Sequence, residues 1–189
     1  MSRATRATGA GDRHVALLRG INVGGKNKLP MAELVKLFTA AGCSAVKTYI
    51  QSGNVVFTAA PQLAASLARL IPKCIDDEFG IQVPIILRTA AELGAVTHAN
   101  PFLKAGEDPA TLHVAFLRDA PDMSHAADLD PKRSPGDSFC LRGRDLYLHL
   151  PNGVASTRLS NVYLDKTLNT ISTVRNWRTV QALLALTQD

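Results

Sequence analysis

The 189-residue chain is poor in the residues that build reactive or metal centres: three cysteines, five histidines and one tryptophan. Cys43, Cys74 and Cys140 are odd in number, far apart and in no C-x-x-C pair. That excludes a disulfide framework and a cysteine zinc site, and it reads as the reduced thiols of a cytoplasmic protein. No two histidines share metal-ligand spacing and H-E-x-x-H is absent, so no metal is expected. No stretch approaches about 20 uninterrupted apolar residues, so nothing is expected to span a membrane. Neither G-x-S-x-G nor a Cys/His nucleophile signature is present, and no acid/base pair is visible. The sequence therefore assigns no reaction, leaves open whether the protein is an enzyme, and implies no cofactor. The strand aromatics also lack the paired arrangement of an RNA-recognition sheet.

What is present is an ordinary globular balance, 46% hydrophobic and 20% charged, with a net charge of +5. A positive excess suits acidic partners such as phosphates or nucleic acid. Part of it lies in the Arg/Ala/Thr/Gly-rich start, residues 1–13, which reads as a disordered tail and not as a signal peptide. "HVALLR" (14–19) reads as a buried strand. Pro30 suits the first turn of a helix that Gly42 stops. "AVKTYI" and "NVVFTA" read as strands joined around "SG", a two-residue hairpin signal. Pro61 opens a second helix, which Pro72 should kink or divide and Gly80 should close. "VPIILR" (83–88) is the next strand. The order β-α-β-β-α-β over 14–88 is that of a ferredoxin-like domain, so the fold class is α+β.

Residues 89–110 read as a helix and linker, after which the pattern restarts over 111–189. "HVAFLRD" (113–119) repeats "HVALLRG" (14–20) with five of seven residues identical at an offset of 99. The second hairpin glycine, Gly143, lies 90 after Gly53, so the second copy is nine residues shorter in between. That deletion corresponds to a Gly/Lys-rich loop found only in the first copy. The second copy looks degenerate at its end, with extra C-terminal helices. "RNWRTVQALLALTQ" reads as a helix, capped by Thr173, in place of a final strand.

The loop "RGINVGGKNKLP" (19–30) resembles G-x-x-x-x-G-K-[ST], but Asn27 replaces the magnesium-binding hydroxyl. The helix begins too late, at Pro30, and the sheet is antiparallel, so it is not a P-loop. Glycines and lysines beside a helix start still suit anion capture. Topology places this loop at the same sheet end as the "QSGN" turn (51–54). Pairing Gln51 with Asn54 turns Val46, Thr48, Ile50, Val55 and Phe57 toward the helices. Lys47, Tyr49, Gln51, Asn54, Val56 and Thr58 occupy the opposite, more polar face. The candidate ligand site is thus Arg19, Asn22, Gly24, Gly25, Lys26, Asn27, Lys28, Tyr49, Gln51, Ser52 and Asn54. A second polar cluster comprises Arg158, Asn161, Arg175, Asn176 and Trp177. Arg175 and Arg178 sit poorly at a helix start, where the dipole favours acids, and point to a functional or an interdomain contact.

Three stretches carry a resemblance: "VALLRGINVGGKNKLPMAEL", "TYIQSGNVVF" and "VRNWRTV". With "ANPF", "HVAFL" and "LYLHLPNG", they resemble DUF1697, a bacterial family of unknown function. The resemblance runs from His14 to about Leu186. It implies a two-part, ferredoxin-like α/β protein in the bacterial cytosol and brings no activity. The positions matching its signature are Arg19 to Lys28, Tyr49 to Asn54, Asn176 and Trp177; Arg178 departs from the family's Asn. The leading expectation is binding of a phosphate-bearing small molecule or nucleotide. The alternatives are nucleic-acid binding, or a structural or oligomerisation role without a ligand.

Overall fold

In the computed structural model, which describes residues 11–189, each half of the chain builds one four-stranded antiparallel sheet. The first unit runs β1 (Asp12–Leu18), α1 (Met31–Ala40), β2 (Ser44–Tyr49), β3 (Asn54–Ala59), α2 (Pro61–Phe79), β4 (Ile85–Thr89) and α3 (Ala90–Ala99). A short helix α4 (Pro101–Lys104) and a single 3-10 turn lead to the second unit. That unit runs β5 (Leu112–Leu117), α5 (Met123–Ala127), β6 (Ser138–Arg142), β7 (Asp145–His149), α6 (Asn161–Leu168), β8 (Ser172–Asn176) and α7 (Trp177–Gln188). The strand orders, β2-β3-β1-β4 and β6-β7-β5-β8, are the same. Both units are ferredoxin-like, each extended by one further helix.

The second copy is more complete than its sequence led us to expect. A final strand is present: β8 pairs with β5, and Thr173 lies inside it. The cap of α7 is Asn176, whose side chain accepts the Thr179 N–H at 2.8 Å. β8 escapes sequence reading because "STVRN" is short, polar and at a sheet edge, so it shows no apolar alternation. Helix α7 then corresponds to α3, since their caps, Thr89 and Asn176, face His14 and His113 across matching strand pairs. Arg175 consequently sits in a strand, and its mismatch with a helix dipole disappears. At the other terminus Asp12 and Arg13, read as tail, belong to β1 and pair with Ala59 and Thr58; residues 1–10 of that tail lie outside the described residues.

The apolar residues sort into three layers. α1 and α2 cover one face of the first sheet through Leu34, Phe38, Leu67, Ile71 and Ile75. α6 covers the outer face of the second sheet through Leu164 and Leu168. Between the sheets lies a central core of Val15, Leu17, Val56, Val114, Phe116 and Tyr147, closed by α3 and α7 with Trp177 buried. Pro72 does not divide α2, which continues over 19 residues. Among the described residues no helix is long and apolar enough to cross a membrane.

The first hairpin differs from expectation by two residues. Tyr49, not Gln51, faces Asn54, and Thr48 faces Val55, so the loop holds four residues, 50–53. A two-residue slip leaves every side chain on its expected face, because the strand period is two. Val46, Val55 and Phe57 do pack under the helices. Ile50 is the exception: it leaves the strand for the turn, 53% exposed with φ of 50°. The polar face is not open either. The second unit covers its middle, where Asn54 and Val56 are fully buried, while Lys47 and Gln51 stay exposed.

Candidate functional site

The Gly/Lys loop is a small hydrogen-bonded hairpin. Asn22 N–H donates to Asn27 O and Lys26 N–H to Val23 O, both at 3.0 Å. Gly24 and Gly25, with φ of 59° and 75°, form its tip, and positive φ at both central residues is the signature of a type I′ turn. Asn22 ties its base. Its Nδ2 donates to Leu29 O and Gln51 O, and its Oδ1 accepts Leu29 N–H. Asn27 Nδ2 donates to Gly20 O at 2.9 Å. The glycines thus serve a turn, Asn22 holds the hairpin against the 50–53 loop, and Asn27 ties the hairpin back to its own start. That loop approaches closely in return: Leu18 N–H donates to Gly53 O at 2.8 Å.

Two arginines at equivalent positions lock the units together. Arg88 lies opposite Val15, and Arg175 opposite Val114, the matching residue 99 further on. Arg88 Nη2 crosses to Leu117 O at 3.0 Å, Arg144 O at 2.7 Å and Asp145 Oδ1 at 3.0 Å. Arg175 crosses the other way. Its Nη2 donates to Leu18 O at 2.6 Å and Ser52 O at 3.2 Å, and its Nε to Asn54 Oδ1 at 2.6 Å. Its Nη1 donates to Thr173 Oγ1 and Val174 O, so all five of its N–H groups are engaged. Asn54 and Asp145 are themselves equivalent, since they face Leu17 and Phe116 on the central strands.

The two clamps differ in charge. Burial pushes the Arg88 pKa down, and Asp145 works against that shift. Burial likewise raises Asp145, although Arg88 opposes it. Arg175 has an amide where Arg88 has a carboxylate. Burial alone moves its pKa to about 10, with no acid pulling it back. A cation held only by neutral acceptors is an uncommon economy in a protein interior.

Two cavities flank the base of the hairpin, and Arg19 lines both. The larger, about 900 Å³, lies against α2. Ala65, Ala68, Arg69, Pro72, Lys73 and Asp76 recur at helical spacing along its wall. The small alanines and the proline leave the space open, and Pro72 also leaves the carbonyl one turn back, at Ala68, without its helical donor. Gln82, Val83, Pro84, Asn27 and, from the second unit, Arg118 complete it. Arg69 and Arg118 side chains have no carboxylate partner among the described residues, whereas Arg19 pairs with Asp165 at 2.5 Å and Lys73 with Asp77 at 2.5 Å. The smaller cavity, about 480 Å³, opens between the hairpin, the 50–53 loop and β8.

The structure distributes the sequence candidates unevenly. Arg19 and Asn27 reach the larger cavity, and Arg19 and Ser52 the smaller. Asn161, Arg175 and Asn176 of the second polar cluster meet them there. Parts of the two sequence clusters, Arg19 and Ser52 of one and Asn161, Arg175 and Asn176 of the other, therefore meet at the smaller cavity. Lys26, Lys28, Gly24 and Gly25 are exposed on the hairpin, and Gln51 on its loop. Asn54 is internal, Tyr49 packs on the central core, and Trp177 is buried within it. Arg158 is exposed before α6, its N–H donating to Ser134 Oγ at 3.0 Å. Sequence reading missed Arg69, Arg88, Arg118 and Asp145. Arg118 was findable, because it is Arg19 shifted by the repeat offset of 99.

The fold is shared with a solved structure, the conserved bacterial protein SP0830 from Streptococcus pneumoniae. The likeness has a TM-score of 0.73 and covers 94% of this chain and 99% of that one, at 24% identity. No curated protein matches the chain. Residues 12–147 match the family described as "Protein of unknown function (DUF1697)". That stretch takes in the hairpin, the 50–53 loop, Arg88 and Asp145. The chain belongs to the DUF1697 family.

Proposed function

We propose that the protein binds a phosphate-bearing small molecule of nucleotide size in the larger cavity, beside the Gly/Lys hairpin. The observation that carries this reading is the cavity's charge. Arg19, Arg69, Lys73 and Arg118 line it against one acid, Asp76. Guanidinium groups match phosphate oxygens in bidentate geometry, and two of these have no internal partner to compete. The volume of about 900 Å³ is within the range of small-molecule sites. Ala65, Ala68 and Pro84 offer a shallow apolar wall for the rest of the ligand. The three cysteines are free, which suits the reducing bacterial cytoplasm.

Isothermal titration with a nucleoside diphosphate and with pyrophosphate tests it. Saturable binding to the wild type is expected, weakened by about tenfold or more in Arg69→Ala/Arg118→Ala. No saturable binding, or an unchanged affinity in the double variant, overturns the proposal. Exposed Lys26 and Lys28, outside both cavities, favour a second reading, nucleic-acid binding. Oligonucleotide affinity falling steeply with salt, and lost in Lys26→Ala/Lys28→Ala, would identify that instead.

A further inference from the structure

The smaller cavity has a different chemistry. Its rim is apolar: Val23, Ile50 and Val154 line it and are 64%, 53% and 55% exposed. Ile50 holds φ of 50°, a conformation that strains a β-branched side chain and suits glycine or asparagine. Such strain persists where the side chain itself is wanted. Its floor is polar. Arg175 lines it together with Asn161 and the exposed Asn176, whose Nδ2 groups have no acceptor among the described residues. His113 is 8% exposed and also lines it. Nδ1 of His113 donates to Thr111 O at 3.2 Å, which leaves Nε2 as an unpartnered acceptor.

The charge count narrows the ligand. Arg19 is neutralised by Asp165, so Arg175 brings the single uncompensated charge. The equivalent clamp shows what is missing: Arg88 has the carboxylate of Asp145, and Arg175 has the amide of Asn54. A phosphate dianion would exceed one positive charge and gain nothing from the apolar rim. We infer that the smaller cavity is a separate site for a small monocarboxylic acid, its carboxylate between Asn161 and Asn176 over Arg175 and its chain against Val23, Ile50 and Val154. The guanidinium, with all five N–H groups engaged, supplies charge, and the two asparagine amides supply the hydrogen bonds.

This site does not depend on the phosphate cavity, and the experiment keeps the two apart. The probes are hexanoate and its neutral isostere hexanamide, titrated by NMR into the full chain. Hexanoate is expected to bind saturably and hexanamide about tenfold more weakly or worse. Asn54→Asp supplies the charge from within, as Asp145 does for Arg88, and should cost hexanoate a similar factor. Asn161→Ala, at a surface helix start, should do the same without touching the clamp. Arg69→Ala/Arg118→Ala should leave hexanoate binding unchanged. Absence of saturable hexanoate binding, equal binding of hexanamide, or unchanged affinity in both asparagine variants overturns the inference. Loss of hexanoate in Arg69→Ala/Arg118→Ala would also overturn it, by making the two cavities one site.

Discussion

Arg88 crosses from the first unit to the β7 turn of the second, and Arg175 crosses back to the β3 turn of the first. Both start from the same strand position, and both reach the last carbonyl of the partner's central strand, Leu117 or Leu18. A duplicated unit can be joined to its copy by any apolar face. A pair of reciprocal arginines does more, because each fixes a hairpin turn against a strand end and so fixes register between the sheets. The difference lies at one atom group: Asp145 ends one clamp, and Asn54 the other. The charge-balanced clamp is a closed structural joint. The unbalanced one lies beneath the hairpin that only the first copy carries, with the smaller cavity beside it. On this comparison, the proposed ligand sites lie where the copies stopped being alike.

The comparison breaks most severely at the balanced clamp. Arg88→Ala leaves Asp145 half-buried and alone, and should cost about 3–5 kcal/mol at neutral pH in urea unfolding. Arg175→Ala leaves only neutral acceptors and should cost less, roughly 1–3 kcal/mol. pH separates the two further. Burial raises the folded-state pKa of Asp145 above its ordinary 3.8, so the folded state holds the proton more tightly. Stability from this group is therefore full at low pH and is lost as pH rises through the raised pKa. Without Arg88 that pKa rises further. The Arg88→Ala deficit should thus widen from pH 4 toward pH 7, and the Arg175→Ala deficit should stay flat, since Asn54 does not titrate. Parallel deficits would show that the clamps are not electrostatically distinct.

A smaller effect distinguishes the two hairpin turns. At Gly53, with φ of 75°, a Cβ would lie 2.8 Å from Leu18 Cβ and 2.9 Å from Ile21 Cδ1. At Gly143, with φ of 58°, it would meet nothing within 4 Å. Gly53→Ala should cost roughly 2–4 kcal/mol, combining backbone strain with overpacking. Gly143→Ala should cost about 1 kcal/mol from backbone strain alone. Equal thermal shifts for the two would deny that the first turn is the more tightly docked. The smallest effect has the opposite sign. Ile50→Gly relieves a strained backbone and should stabilise by about 0.5–1 kcal/mol while weakening hexanoate. Stabilisation without loss of hexanoate would remove Ile50 from the site.

Much of this architecture was legible in one dimension. The repeated "HVALLR" and "HVAFLR" announced two units, and apolar spacing located α1, α2, β1 and β5. The two-residue error in the first hairpin did no harm to the faces, because alternation survives an even slip. β8 was illegible, because an edge strand reading "STVRN" carries one apolar residue in five. The polar face under the hairpin was read as open ground, since nothing local states that Val15, Leu17 and Val56 await a second sheet. The "RNW" arginine looked misplaced on a helix until β8 supplied its true setting.

By itself the sequence determined the family, through its motifs, the duplication, through the repeated strand, and the ferredoxin-like order of the first unit with its extra loop, through short-range periodicity and turn chemistry. Tertiary structure alone decided that Arg19 and Ser52 meet Asn161, Arg175 and Asn176 at one cavity. It also decided that Asn22 and Asn27 are spent on the hairpin itself, and that Arg69 and Arg118 share a cavity. The physical reason is range. Strand period and turn geometry are set by neighbours a few residues apart, whereas cavity charge is set by side chains that only sheet packing brings together. Arg175 shows it most plainly, since its charge is uncompensated only because of what stands at position 54, in the other unit.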